Sequence, residues 1–312
     1  MKKRFEGCLL GLACGDALGA AVEFQLPGSF MPLTEMVGGG PFNLAAGQWT
    51  DDTAMALCLA DSLIQCGGFD ARDQMERYCR WRDEGLWSST GVCFDIGYTT
   101  AAALRRFEQT GDPYAGSTDP LTSGNGSLMR LAPIPMFYVE DLQKVAYYAV
   151  ESSRTTHASR EAVDACRLFA VMVALALRGE PKHVILLETY ARYFESEDLA
   201  PAIAEIAQGS YLRKKETDLI ANGYVVNTLQ AALWSFWQAE NFRQAVLLAA
   251  NLGYDSDTTA AVCGQIAGAF YGVEKIPRSW LSCLARATEI RHLADQLYEL
   301  RWRPTPQHDL LS

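Results

Sequence analysis

Apolar positions recur at the helical period over most of the chain. Phe5, Cys8, Leu9, Leu12 and Ala13 fall on one face, as do Ala54, Leu57, Cys58, Leu63 and Ile64 after the polar run Thr50-Asp51-Asp52-Thr53. The same spacing predicts helices over 144–150, 161–178, 183–195, 226–238, 243–251 and 258–271. Alternating β-branched runs are almost absent. Pro- and Gly-rich stretches at 26–33, 37–47 and 110–126 read as loops, and the last two are long enough to carry function. With no internal repeat, low-complexity tract or linker, the pattern predicts one compact all-α domain over residues 1–300. The end of the chain, 301–312, reads as a tail rather than an interface, and a monomer is expected.

Composition narrows the picture. The 312 residues are 49% apolar and 21% charged, which excludes a disordered chain, a collagen and a coiled coil. Lys+Arg 27 against Asp+Glu 37 gives a net charge of −10, a surface that repels phosphate backbones and makes nucleic acid an unlikely partner. A phosphorylated small molecule remains admissible if cations accompany it. Nine cysteines show no CxxC spacing and sit mostly among Ala and Leu, as buried thiols in a reducing compartment do. The basic, apolar N-terminus is interrupted by Asp16 and Glu23, and no run of 18 uninterrupted apolar residues occurs. A soluble, cytoplasmic chain without a membrane partner is expected.

Six short segments could carry chemistry. Thr50-Asp51-Asp52-Thr53 follows a Gly-rich loop and opens an apolar helix; Asp255-Ser256-Asp257-Thr258-Thr259 does the same after Gly253. Either one alone reads as a helix N-cap, with carboxylates suited to the positive helix end. Their duplication changes the weight. If the two helix starts converge, four carboxylates meet, an arrangement unfavourable without cations. Carboxylate and hydroxyl oxygens select hard ions, Mg²⁺ or Mn²⁺, and four carboxylates suit a two-ion site. Thr122-Ser123-Gly124-Asn125-Gly126-Ser127-Leu128-Met129-Arg130 reads as a turn or as a phosphate cradle at a helix start. Thr156-His157-Ala158-Ser159 places a histidine before a long helix, where it caps, packs or donates to a ligand. Phe94-Asp95-Ile96-Gly97-Tyr98 holds an acid before a helix through Ala101 and Leu104, and Asp16 and Glu23 form an acid pair on an otherwise apolar stretch.

Taken in order, GCLLGLACGDALGAAVEF, GQWTDDTAMALCLADSL, FDIGYTT, SGNGSLMRLAPI, THAS, NGYVVNTLQAALW and GYDSDTTAAVCGQIAGAFYG closely resemble the ADP-ribosylglycohydrolases, in particular their bacterial dinitrogenase reductase-activating branch. The resemblance runs from about residue 5 to 272. It implies a single orthogonal all-helical domain with two Mg²⁺ or Mn²⁺ ions in a cleft, acting on an ADP-ribosylated protein or on ADP-ribose. By the same resemblance Thr50, Asp51, Asp52, Asp255, Asp257 and Thr258 are metal ligands, and Glu23 and Asp95 are the catalytic acids beside the scissile ribose. Gly124, Asn125, Gly126, Ser127 and Met129 would line the diphosphate and ribose pocket. His157 would touch the distal ADP-ribose, Tyr224 would stack near the adenine or the pocket wall, and Tyr98 would stand by the leaving group. The implied reaction is cleavage at C1″ to release ADP-ribose, from arginine first. Serine-linked ADP-ribose, O-acetyl-ADP-ribose, an ADP-ribosylated nucleobase and a non-catalytic ADP-ribose-binding module are the rival readings.

Overall fold

The computed structural model describes residues 1–194 and 199–302. Among them are fourteen α-helices and no strand. In chain order these are α1 (Lys2–Gly19), α2 (Asp51–Cys66), α3 (Ala71–Glu84), α4 (Tyr98–Thr110), α5 (Pro133–Phe137), α6 (Leu142–Arg154) and α7 (Arg160–Arg178). They are followed by α8 (Thr189–Tyr193), α9 (Pro201–Ala207), α10 (Val225–Gln238), α11 (Phe242–Ala250), α12 (Ser256–Tyr271), α13 (Arg278–Cys283) and α14 (Ala287–Leu300). The all-α expectation holds. Helix α14 ends at Leu300; of the expected tail only Arg301 and Trp302 are described, and 303–312 lie outside the described residues.

The architecture is set by one helix pair. Gly7, Gly11, Gly15 and Gly19 recur every four residues and therefore share a face of α1. That face meets Gly268, Gly264, Ala260 and Ser256 of α12, running antiparallel. A Cβ on any of the four α1 glycines would come within 2.1–2.4 Å of an α12 carbonyl oxygen. The helices thus touch backbone to backbone, which only side-chain-free positions allow. With α14 and α2 on its other sides, α1 is buried along nearly its whole length. Its composition would suit a membrane span, but its most apolar 18-residue window is wholly buried in protein. Helices α7, α10 and α11 surround α12, and a single apolar core runs through all of them.

The expected helices are found, with one departure inside them, and five further helices lie outside the expected set. The segment from 183 starts as a π-helical turn, Val184–Glu188, before α8 resumes. There the Thr189 hydroxyl donates to the Ile185 carbonyl at 2.7 Å, drawing that carbonyl away from the regular ladder. Residue 195, the end of that expected helix, lies outside the described residues. Helices α3, α5, α9, α13 and α14 are not among those the spacing predicts; in α3 charges crowd the sequence, and only Gln74, Met75, Tyr78 and Trp81 are buried.

Candidate active site

The starts of α2 and α12 both lie at the C-terminal end of α1, so the two acidic segments meet. The α2 start is not capped by its own residues, as an N-cap reading of Thr50 or Asp51 requires. Asp16 of α1 does it instead. Its Oδ1 accepts the Thr50 N–H at 2.8 Å and lies 2.9 Å from the Thr50 hydroxyl. Its Oδ2 accepts the Thr53 N–H at 2.9 Å and the Thr53 hydroxyl at 2.6 Å. A carboxylate from a distant helix thereby satisfies orphan donors at the positive end of α2, leaving Asp51 and Asp52 free for other work.

The α12 start is likewise uncapped by Asp255. Asp255 Oδ2 accepts instead from Asn125 Nδ2 at 2.7 Å, and Ser256 donates to the Gly19 carbonyl at 2.9 Å. A backbone clasp then brings Glu23 alongside. Phe24 N–H donates to Tyr254 O at 2.6 Å, and Tyr254 N–H returns to Gln25 O at 2.7 Å. Both Phe24 and Tyr254 are left-handed, at φ 62° and 56°, as is Asp95 at φ 56°. Three strained non-glycine residues around one cleft mark where geometry is held against local preference. Asp95 sits not at the α4 N-cap, which is Gly97, but in the loop before it. That loop is tied to the residues preceding α2 by Ser89, whose hydroxyl donates to Trp49 O at 2.5 Å, and by Phe94 packing on Phe42.

The cleft so formed encloses about 310 Å³. Glu23, Asp51, Asp95, Tyr98, Gly124, Asn125, Gly126, Met129, His157, Asp255, Asp257 and Thr258 line it, as the sequence reading placed them together. Phe24, Gly97, Thr99, Thr100 and Gly223 line it too and are not among the expected site residues. Thr50 and Asp52 lie buried beneath its floor. Two expected lining residues do not line it. The Ser127 hydroxyl is buried among Ser153, which donates to it at 2.8 Å, and Cys166. Tyr224 pairs its backbone with Gly124 and so holds the glycine loop, while its ring stands outside the cleft near Glu161. Nor does the glycine loop open directly onto a helix: Asn125 O accepts from Leu128 and Met129 in a turn, and α5 begins only at Pro133.

The charge in the cleft is one-signed. One carboxylate oxygen from each of Glu23, Asp95 and Asp257 lies within 4.8 Å of the others. Burial first, then the Asp95, Asp255 and Asp16 carboxylates, push Glu23 up to about 9. Burial, then Asp255 and Asp16, push Asp95 up to about 7. Asp51, Asp52 and Asp257 are driven well above the usual carboxylate range, by burial first and by neighbouring acids second. The Thr50 hydroxyl has one proton for three carboxylates, Asp16 at 2.9 Å, Asp257 at 3.1 Å and Asp52 at 3.3 Å. Glu23 Oε2, Asp52 Oδ1 and Asp257 Oδ1 are buried with no hydrogen-bond partner among the described residues. Orphaned buried oxygens and crowded like charges fit a site built around divalent cations, and an oxygen-only donor set suits hard ones.

The chain matches the ADP-ribosylglycohydrolase family over residues 1–307. An ADP-ribosylarginine hydrolase Tri1 of Pseudomonas putida (strain GB-1) is 45% identical over 296 residues, 95% of this chain and 78% of that one. The ADP-ribosyl-[dinitrogen reductase] glycohydrolase of Rhodospirillum rubrum is 32% identical over 303 residues, 95% of this chain and 96% of that one. A solved structure described as an ADP-ribosylglycohydrolase-related protein complex superposes with a TM-score of 0.86 at 44% identity, covering 96% of this chain and 98% of the other. Helical fold, acidic cleft and sequence agree: the chain belongs to the ADP-ribosylglycohydrolase family and is a glycohydrolase that removes ADP-ribose.

Proposed function

We propose that this enzyme releases ADP-ribose from arginine side chains in a reaction that depends on two Mg²⁺ or Mn²⁺ ions. The observation that carries the reading is the meeting of two acidic helix starts around buried carboxylate oxygens that no group among the described residues satisfies. Thr50, Asp51 and Asp52 would hold the ions from one side, and Asp255, Asp257 and Thr258 from the other. Bound there, the ions supply positive charge that fixes the ribose hydroxyls and lets a diphosphate enter an acidic cleft. Because Asp16 takes hydrogen bonds from Thr50, the lone pairs of the Thr50 oxygen are left for the cleft.

The protein's own groups account for the proton chemistry. Glu23 and Asp95 lie close enough to titrate as a coupled pair, one carboxyl giving a proton while the other stays ionised. That division of labour is what protonating a leaving group and activating water at C1″ requires. Positive charge developing on the ribose at C1″ meets the same carboxylates. Tyr98, 82% exposed at the first turn of α4, stands at the mouth where the modified side chain must leave. The preference for arginine rests on relatives: the Pseudomonas putida protein is an ADP-ribosylarginine hydrolase.

Hydrolysis of ADP-ribosylarginine and ADP-ribosylserine peptides, measured side by side with Mg²⁺ and with EDTA, tests this directly. Release from arginine alone, abolished by EDTA, is expected. Release from serine would overturn the substrate, and release that survives complete metal removal would overturn the ion assignment.

A further inference from the structure

Behind the cleft lies a cation that pairs with no carboxylate among the described residues. Arg130, the last residue of the glycine-loop motif, is fully buried, stacked over the Tyr78 ring at 4.7 Å. Its Nη2 donates to Thr156 Oγ1 at 2.7 Å and more weakly to Ser152 O and Thr155 Oγ1, while Nε and Nη1 have no hydrogen-bond partner among the described residues. Thr156 Oγ1 in turn lies 2.8 Å from Nδ1 of His157. His157 is 2% exposed and lines the cleft; its other edge, Nε2, abuts the glycine loop. A Cβ at Gly126 would come within 3.1 Å of that nitrogen, and one at Gly124 within 3.4 Å.

Proton counting fixes the direction of this chain. A guanidinium only donates, so Thr156 Oγ1 is the acceptor for Arg130. The single Thr156 hydroxyl proton is then left for His157 Nδ1, since the opposite arrangement would bury a hydroxyl proton with no acceptor. Nδ1 therefore accepts, and the ring proton resides on Nε2.

We infer that Arg130 and Thr156 are positioning residues that lock His157 as a neutral Nε2–H donor aimed into the cleft, where it meets an anionic oxygen of a nucleoside diphosphate. Burial, reinforced by the Arg130 charge, holds His157 down at about 3, so the ring stays neutral while the buried guanidinium adds a fixed positive field behind it. In a cleft whose charged side chains are all carboxylates, this is a place where a diphosphate finds both a donor and a favourable potential. The inference rests on the reading of the cleft as an ADP-ribose site and adds which residues prepare it.

The test uses the full chain with selectively ¹⁵N-labelled histidine, and free ADP-ribose as the titrant. Long-range ¹H–¹⁵N spectra should show His157 in the Nε2–H form in the wild-type protein. Thr156→Val, which removes the hydroxyl at nearly constant volume, should lose that fixed tautomer and weaken ADP-ribose binding by about tenfold, the scale of one hydrogen bond to a charged group. Thr156→Ser should restore both. An Nδ1–H ring in the wild type, or Thr156→Val with unchanged tautomer and affinity, overturns the inference. A wild-type chain with the Nε2–H form but no measurable ADP-ribose binding overturns the reading of the cleft instead, and with it the purpose assigned to the relay.

Discussion

The Asp16 carboxylate on α1 accepts the backbone N–H of Thr50 at 2.8 Å and lies 2.9 Å from its hydroxyl, so the helix that presents Asp51 and Asp52 is anchored by an acid from outside it. This places Asp16 in support of the site rather than in it. Burial raises its carboxyl while the hydrogen bonds from Thr50 and Thr53 oppose that rise. Asp16→Asn turns an amide donor toward donors. It should cost about 2–4 kcal/mol of stability, since a buried network loses a partner. It should also weaken Mn²⁺ binding by roughly 10–100-fold, the usual penalty for disturbing the groups that orient ligands. Calorimetric titration and a thermal melt read the two effects separately; unchanged Mn²⁺ affinity would remove Asp16 from this role.

Much of the site is legible in the sequence because its signal is local and repeated. Asp51–Asp52 and Asp255–Asp257 each announce a helix start, and their likeness to one another points to a shared centre. The Gly7, Gly11, Gly15, Gly19 spacing that sets the α1–α12 crossing is equally visible, although its partner face on α12 shows only Gly264 and Gly268. What is not legible depends on long-range geometry. Asp16 caps a helix 34 residues away, so no window of sequence shows the bond. Ser127 and Gly126 are neighbours with opposite duties, and only the fold says which faces the cleft. Tyr224 is turned aside by its backbone pairing with Gly124.

Stripped of divalent ions, the protein should lose stability as pH rises. Glu23 and Asp95 are raised in the folded state to about 9 and about 7, so the folded chain holds protons that the unfolded chain releases near pH 4. Their contribution is fully present below the unfolded value, fades through pH 4–7 for Asp95, and continues to fade to about 9 for Glu23. Chemical denaturation in EDTA at pH 5.5 and pH 8.5 should show the lower midpoint at the higher pH. Mg²⁺ should recover more stability at pH 8.5 than at 5.5. A midpoint that rises with pH under EDTA contradicts the burial of these acids.

Asp257→Asn should move stability and function in opposite directions. In EDTA the variant removes an acid that must either carry a charge in a crowded buried set or take up a proton to avoid it, with Asp257 Oδ1 already without a partner among the described residues. Its melting temperature should rise, roughly 2 °C for each kcal/mol of relieved repulsion at this chain length. Turnover with Mg²⁺ should fall by at least ~10², as expected for a lost ion ligand. A variant destabilised in EDTA and normal in turnover would contradict both halves.

Glu23→Ala and Asp95→Ala separate the two acids. Each should lower turnover by at least ~10² if it moves a proton in the reaction. Binding of free ADP-ribose should survive far better than turnover, because neither side chain is needed to cradle a diphosphate. Near-normal turnover in one variant assigns the proton chemistry to the other residue alone.

The α1–α12 crossing carries the site, and it can be loosened without touching an acid. A Cβ at Gly11 would sit 2.4 Å from the Gly264 carbonyl oxygen, and neither backbone can yield inside a continuous core. Gly11→Ala should cost about 3 kcal/mol or more, the upper end for an overpacked interior. Any folded fraction should bind Mn²⁺ less tightly, since Asp16 and Asp257 ride on the two helices that must part. Gly97→Ala is the control for stability alone: Gly97 lines the cleft, but an added Cβ there meets open space on an extended backbone, and the change should leave the melting temperature within about 1 °C. Equal stability of both variants would show that the two helices do not meet backbone to backbone, and the common origin of the two acidic helix starts would have to be sought elsewhere in the fold.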